Sequence, residues 1–360
     1  MTRPPAFLQQ LVLQTHLLAN LQWLCEYQVL ACIPLNGAVA FEEVAAISNV
    51  PVDRLQAAVR LMATVGFLCE HTSGHLAHTP LSASFVTEPD LLDAALFLAQ
   101  TAVPAALQLP RSPELASNTS AQAQMQPRMQ RQFAAYLMRG IVDEAAAVNE
   151  VLGLVDWAGM GAIIVDIHPP SPDTVALLGQ IAPAARLVVQ TSSSTDHLAL
   201  GGPDGWMTFN LPSSISSRVS VQSRAAGSTQ TVQAAAYIIR VPSPTPTNKW
   251  TSIRAQTVSE LQAHLQALHS NPGARLMLTA LVLPAPGSLN KEVEAMVRLR
   301  DMTLAQLAND RQPSRADILE LICTVQDPAG GLVVEREIGT PSSAAVVLEV
   351  SYQPSLSRVQ

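Results

Sequence analysis

Three positions in the middle of the chain have the spacing to hold a nucleoside, and each lacks something that task requires. Asp166 ends the apolar run IIVDI, His168 opens the turn His168-Pro169-Pro170-Ser171-Pro172, and Gln190 lies near the end of a second apolar run, RLVVQT. In a nucleoside-binding sheet the turn after the first strand is rich in glycine, because the backbone must bend tightly and present N–H groups to the ligand. Proline at three of these five positions fixes φ, removes donors and puts ring bulk where a ligand would lie. The second strand of such a sheet ends on Asp or Glu, which takes the ribose hydroxyls. Gln190 and Thr191 bring no charge to that place. The turn therefore reads as a degenerate cofactor floor, no cofactor is expected, and Asp166 is assigned as a hydrogen-bond anchor for the turn.

Other groups offer little more. Cys69, His71, His75 and His78 lie close together. His71 and His75 have the HxxxH spacing of a zinc pair, but an expected hairpin around Ser73-Gly74 puts them on opposite arms. Half-exposed imidazoles and a buried thiol are expected, and no metal. After AAAYIIR, the segment Val241-Pro242-Ser243-Pro244-Thr245-Pro246 supplies only rings and hydroxyls, and neither Ser nor Thr is a general base near neutral pH. Arg240 and His168 are the donors that a pocket steering a rearrangement would use. Spacing supports neither role: Arg240 is expected to pair or snorkel at the end of its strand, and His168 to cap the turn. No catalytic residue is assigned.

The elements around these residues are legible. Ala162 to Thr191 reads strand, turn, helix, strand, and its Ile/Val runs suit a parallel βαβ unit covered on both faces. There follow a Ser- and Gly-rich loop at 192–205, strands around Arg218 to Val221 and at 234–241, and a helix from about Thr257 to His269. The strand RLMLTALVL, a helix around Arg315 to Cys323 and the strands GLVVEREI and AAVVLEVSY complete the run. This alternation predicts an α/β doubly wound sheet with an antiparallel C-terminal edge.

Upstream, residues 7–32 have helical periodicity through Leu13, Leu17, Leu21 and Leu24. So apolar a helix is expected to pack on a second subunit, giving a homodimer. From Phe41 the chain reads FEEVAAIS, a break at Asn49-Val50-Pro51, VDRLQAAVRLMATVG closed by Gly66, and a hairpin, which together spell a winged helix-turn-helix. Its second helix carries only Arg54 and Arg60, offset by Asp53, with no Asn or Lys to reach base edges, so no direct DNA binding is expected. The polar stretch 109–128 reads as a linker between a dimerisation domain at 1–108 and a second domain at 129–360, whose first helix carries Phe133, Leu137, Ile141 and Val148.

Composition agrees. Over 360 residues, 48% are apolar and only 14% charged, so much apolar surface must be hidden, which favours an obligate dimer or a large partner interface. A net charge of −7 argues against gripping phosphate backbones unaided. The four scattered cysteines, Cys25, Cys32, Cys69 and Cys323, suit buried thiols in a reducing compartment. No secretory signal is visible, and Gln14, His16, Asn20, Gln22 and Glu26 interrupt the first apolar segment too often for a membrane span.

The order of winged helix, doubly wound domain and antiparallel pair resembles the small-molecule O-methyltransferases that use S-adenosylmethionine, with DWAGMGAIIVDI and AAAYIIR as the specific matches. That resemblance implies a Rossmann-like class I methyltransferase domain. It also implies four lost motifs: HPPSP for the glycine turn, Gln190 for the acid, Gln222-Ser223-Arg224 for a Gly-Asp motif, and the proline segment after Arg240 for a catalytic His-Asp-Trp. The stretches LQWLCEYQVLACIPLNGAVAFEEVAAISNVP, VGFLCE, GHLAHTPLSASFVTEPDLLDAALF and RLVVQT are similar to the aflatoxin-cluster transcriptional coactivator family (AflJ/AflS-like) of fungal polyketide clusters. This second resemblance implies a pseudo-methyltransferase that works beside a pathway-specific Zn2Cys6 activator. It further implies nuclear residence with import through the partner; the chain is expected to depart from the relatives in lacking the longer N-terminal extension that they carry.

Overall fold

The computed structural model describes residues 4–108, 126–192 and 211–355. The chain divides into two compact units, Met1–Ile141 and Val142–Gln360. Most of the expected linker, and most of the loop expected at 192–205, lie outside the described residues.

In the first unit, helix α1 (Pro4–Glu26) buries only Leu24 and Cys25. Every residue from Pro4 to His16 is exposed, Phe7, Leu8 and Val12 among them. The helix stops short of the expected 32, because Gln28 takes a left-handed conformation (φ 54°) and a 3-10 turn, Val29–Cys32, follows. Strand β1 (Ala38–Ala40) precedes α2 (Phe41–Ser48), which Asn49 closes in the left-handed region at φ 53°. The next helix, α3 (Val52–Ala63), lays Leu55, Ala58, Val59 and Met62 on one buried stripe at helical spacing. Gly74, at φ 85°, joins β2 (Leu68–Thr72) to β3 (His75–His78), where a side chain would strain the turn. The three strands form a sheet in the order β1-β3-β2, over a core of Leu24, Phe41, Val44, Leu55, Val59, Leu68 and Leu76.

The unit continues through α4 (Pro80–Thr87), α5 (Pro89–Phe97), a π-helical turn at Leu98–Ala102 and α6 (Val103–Gln108). The run Pro89–Gln108 is long and apolar enough to cross a membrane by length and composition. A third of that stretch is buried, around Phe97, which stacks on Phe133 of α7 (Pro127–Ala135) with ring centroids 4.7 Å apart. That contact, with the π-helical turn Tyr136–Ile141, places residues 127–141 in the first unit, whereas the sequence predicts a second domain from 129. The single helix expected from Phe133 to Val148 is also interrupted, because α8 (Glu144–Leu152) starts afresh with the Asp143 side chain accepting from the Ala146 N–H.

Among the described residues of the second unit eight strands form one sheet: β4 (Ile163–Ile167), β5 (Arg186–Thr191), β6 (Val219–Ser223), β7 (Ala236–Arg240), β8 (Arg275–Leu281), β9 (Gln326–Asp327), β10 (Gly330–Ile338) and β11 (Ala345–Pro354). Their order is β6-β5-β4-β7-β8-β11-β10-β9, parallel from β6 to β8 and antiparallel thereafter. The α/β expectation with a mostly parallel central sheet is met. Alternate residues feed two cores. On one face Ile164, Val189, Ile238 and Met277 pack with α8, α9 (Pro172–Ile181) and Val297. On the other, Val165, Val188, Tyr237 and Leu278 pack with α10 (Trp250–Ser270) and with Ile318 and Leu321. Val297 belongs to α11 (Lys291–Ala308), a helix absent from the elements expected of the sequence, and Ile318 to α12 (Arg315–Cys323).

Candidate functional site

The turn after β4 has little left to offer a ligand. His168 sits in the left-handed region at φ 48°, and its backbone N–H is spent on the Gln190 carbonyl at 2.8 Å. Pro169 is buried, Pro170 is exposed, and α9 begins on Pro172 with Ser171 as an N-cap whose side chain makes no capping bond. Three of the five turn residues are prolines and carry no N–H. A phosphate- or nucleoside-binding helix terminus works through such donors, so this one does not fit the role.

Asp166 is fully buried and bonded to Arg240, Nη1 to Oδ1 and Nη2 to Oδ2, the second bond being 3.3 Å. It therefore anchors β7 to β4 rather than the turn. Register explains the meeting: Asp166 lies opposite Ile238 and Val189, both on the α8/α9 face, and Arg240 follows Ile238 by two residues on that face. Arg240 pairs, as one of its two expected outcomes had it, and is thereby engaged where a polarising donor would need to be free. On the same face Thr279, in register with Arg240, buries a hydroxyl that has no hydrogen-bond partner, as does Ser243 further along the chain. Neither hydroxyl is a base near neutral pH.

Gln190 points the other way. It lies opposite Ile167, on the α10 face, and only 1% of it is exposed. Its side-chain amide pairs reciprocally with that of Gln230, at 3.0 Å from Nε2 of Gln190 and 2.8 Å from Nε2 of Gln230. Gln230 Nε2 also lies 3.2 Å from Nε2 of His264, while its Oε1 accepts from the Val232 N–H at 3.0 Å. Nδ1 of His264 is 2.7 Å from the Glu260 carbonyl, which only accepts. The ring must therefore carry its proton on Nδ1 and accept from Gln230 at Nε2. A neutral ring is what burial favours, pushing the imidazole pKa down to about 4 against the opposing pull of Glu260. Glu260 continues the chain: its carboxylate accepts from Arg224 at 2.5 Å and from the Gly227 N–H at 2.6 Å. The Arg224 N–H returns to the Thr191 carbonyl at 2.8 Å, next to Gln190. The circuit Gln190, Gln230, His264, Glu260, Arg224 thus closes within the protein.

The proline segment after β7 is also fastened. Arg300, fully buried on α11, donates Nη2 to the Pro244 carbonyl at 3.3 Å and Nε to Gln312 Oε1 at 3.0 Å. Gln312 in turn donates to the Leu281 carbonyl at 2.7 Å. Desolvation pulls the Arg300 pKa down, with Glu144 opposing it.

On the hairpin, His71 and His75 are exposed, His78 bonds Ser82 Oγ at 2.8 Å and the Leu30 carbonyl at 3.1 Å, and the Cys69 thiol faces the Ala77 carbonyl at 3.6 Å. Among the described residues no group of His, Cys, Asp or Glu could hold a metal ion. The expectation of buried thiols needs correction: Cys25 alone is buried, Cys32 and Cys69 are half-buried and Cys323 is exposed. Cys323 is the last residue of α12 and faces solvent, while Cys25 has its thiol pKa raised to about 12, chiefly by burial.

Sequence reasoning missed Gln230, His264, Glu260, Arg300 and Gln312. The one local signal was Glu260 and His264 at i, i+4 within an otherwise apolar helical stripe.

No family model matches the sequence. Solved structures of the same fold include the mitomycin 7-O-methyltransferase MmcR, at TM-score 0.61 and 16% identity over 96% of this chain and 97% of that one. The N,N-8-amino-8-demethyl-D-riboflavin dimethyltransferase RosA of Streptomyces davawensis gives 0.64 and 17% over 98% and 100%. A pericyclic reaction enzyme gives 0.62 and 15% over 98% and 90%. At such identities the likeness is one of fold. Curated relatives are far nearer in sequence. The dothistromin biosynthesis regulatory protein aflJ of Dothistroma septosporum is 37% identical over 99% of this chain and 86% of its own length. The monodictyphenone cluster transcriptional coactivator mdpA of Emericella nidulans is 35% identical over 98% and 85%. The aflatoxin cluster transcriptional coactivator aflS of Aspergillus flavus is 34% identical over 98% and 86%. On that near-full-length identity, the chain belongs to the aflJ/aflS family of secondary-metabolite cluster transcriptional coactivators, built on a methyltransferase fold.

Proposed function

We propose that this protein is a transcriptional coactivator of a fungal secondary-metabolite cluster making an aromatic polyketide, working with a pathway-specific Zn2Cys6 activator and transferring no methyl group. The observation that carries the reading is the donor end of the sheet. The residues there do not fit S-adenosylmethionine, because the turn has traded N–H donors for proline rings and Gln190 is committed to Gln230. Degenerate positions His168, Pro169, Pro170, Ser171, Pro172 and Gln190 are thus assigned no ligand.

The remaining assignments rest on the same frame. The first unit acts as a winged-helix module used for dimerisation, with the exposed apolar half of α1 as the contact between two copies. Direct DNA reading is not assigned, because both cations of α3 are engaged: Arg54 lies over the Trp23 ring at 5.3 Å and Arg60 bonds Glu70 at 2.9 Å. Residence is nuclear, with a cytoplasmic pool and import through the partner.

Deletion of the gene in the producing fungus tests the reading. Loss of transcripts across the cluster supports it. Accumulation of one unmethylated or unrearranged intermediate with transcripts intact would replace it with a methyltransferase or pericyclase. A pull-down under inducing conditions that recovers no Zn2Cys6 protein would remove the partner.

A further inference from the structure

The proline turn is one obstacle to a nucleoside donor; the geometry points to a second, independent one. We infer that Gln190, Gln230 and His264, backed by Glu260 and Arg224, form an internal plug that takes over the hydrogen bonds a nucleoside would make at the end of β5. The inference rests on the reading of this domain as donor-free and explains why that state is locked rather than merely unfilled.

Three observations carry it. First, the position that ends β5 in a nucleoside-binding sheet presents an acceptor to ribose, yet Gln190 is 1% exposed and its carbonyl and amide both face Gln230. Second, Gln230 has no capacity left: its two amide protons go to Gln190 and His264, and its oxygen accepts from Gln190 and from Val232. Third, the segment bearing Gln230 is tied down from both sides. The Gln230 N–H bonds the Ala263 carbonyl of α10 at 2.9 Å, and the Tyr237 hydroxyl bonds the Val232 carbonyl at 2.8 Å. The plug lies on the α10 face, whereas the Asp166–Arg240 pair lies on the α9 face. None of the plug's side chains belongs to the turn at 168–172, which meets Gln190 through the main chain, His168 N–H to the Gln190 carbonyl, so replacing Pro169 and Pro170 leaves the side-chain plug in place.

The experiment uses the full chain. A variant with the turn restored, Pro169→Gly with Pro170→Gly, is titrated with S-adenosylhomocysteine by calorimetry beside the unaltered protein. Silence from both supports the plug. Binding by the turn variant alone overturns the plug and leaves the donor-free reading of the natural chain standing. Binding by the unaltered protein overturns both. A thermal double-mutant cycle with Gln190→Leu and Gln230→Leu needs no ligand and holds even if the turn variant misfolds. Each single variant strands a buried amide and lowers the melting midpoint, whereas the double variant melts above the sum of the two losses. Strictly additive losses would show that the two amides are not a paired unit and would refute the plug.

Discussion

Acidification from pH 8 to pH 5 should destabilise the second unit through His264. The ring is fully buried, with its neutral form fixed by Gln230 and the Glu260 carbonyl, and its pKa is pushed down to about 4, first by burial. In the unfolded chain the same ring titrates at an ordinary value near 6.5. A folded pKa below the unfolded one means that the unfolded state binds the proton first. The stability is therefore present above about pH 6.5 and lost as pH falls toward 4. At pH 5 the two values give a loss of roughly 2 kcal/mol, rising to about 3 kcal/mol below both. For a unit of this size that is a fall in melting midpoint of roughly 4–8 °C by pH 5.

Urea melts followed by circular dichroism at half-unit pH steps would read the slope. Carboxylates held low by partners, such as Asp317 beside Arg311 and Glu294 beside Arg298, lose their contribution at more acid pH and leave this window clear. His78, whose pKa is also pulled down by partial burial, is silenced with His78→Gln in both proteins. The variant His264→Gln should be less stable at pH 8 but flat between pH 7 and 5. Parallel slopes for the two proteins over that window would refute the buried neutral ring and the tautomer on which the circuit depends.

Three other perturbations have defined outcomes. Arg240→Met leaves the fully buried Asp166 charge unpaired and should cost about 3–5 kcal/mol in urea melts, with Asp166→Asn added to it recovering a large part. If two copies associate through α1 as proposed, Leu8→Asp with Val12→Asp on its exposed turns should abolish that association in light scattering without changing the melting midpoint of the second unit. A maleimide probe at pH 7.5 should label exposed Cys323 first and leave Cys25, with its thiol pKa near 12, unreacted until unfolding.

Strands of the second unit were legible because runs such as Ile163–Ile167 and Arg186–Thr191 are buried on both faces and so read as continuous apolar stretches. Helix α11 was not. Its buried stripe contains Arg300 and Thr303, while Met296, Leu299 and Met302 are exposed, so hydropathy assigns the wrong face. The turn's shortage of N–H donors could be read locally, since proline acts on its own backbone. What Gln190 does instead could not, because its partner lies 40 residues away and the deciding bonds cross from a strand to a loop and a helix. Sequence showed a glutamine near the end of the strand; only the fold shows that it pairs with Gln230.

That difference bears on how the domain persists. An enzyme that loses its cofactor keeps polar groups aimed at an empty cleft, and each buried group without a partner costs about 1–3 kcal/mol. Here the Thr279 and Ser243 hydroxyls bear that cost, whereas the charged and amide groups have partners: Asp166 has Arg240, Gln190 has Gln230, Glu260 has Arg224 and the Gly227 N–H, and the Pro244 carbonyl has Arg300. On the proposed donor-free reading, such a fold needs no ligand to reach its native stability. Millimolar S-adenosylmethionine should therefore leave the melting midpoint of the unaltered protein where it stands, whereas a fold still adapted to that ligand would rise by several degrees.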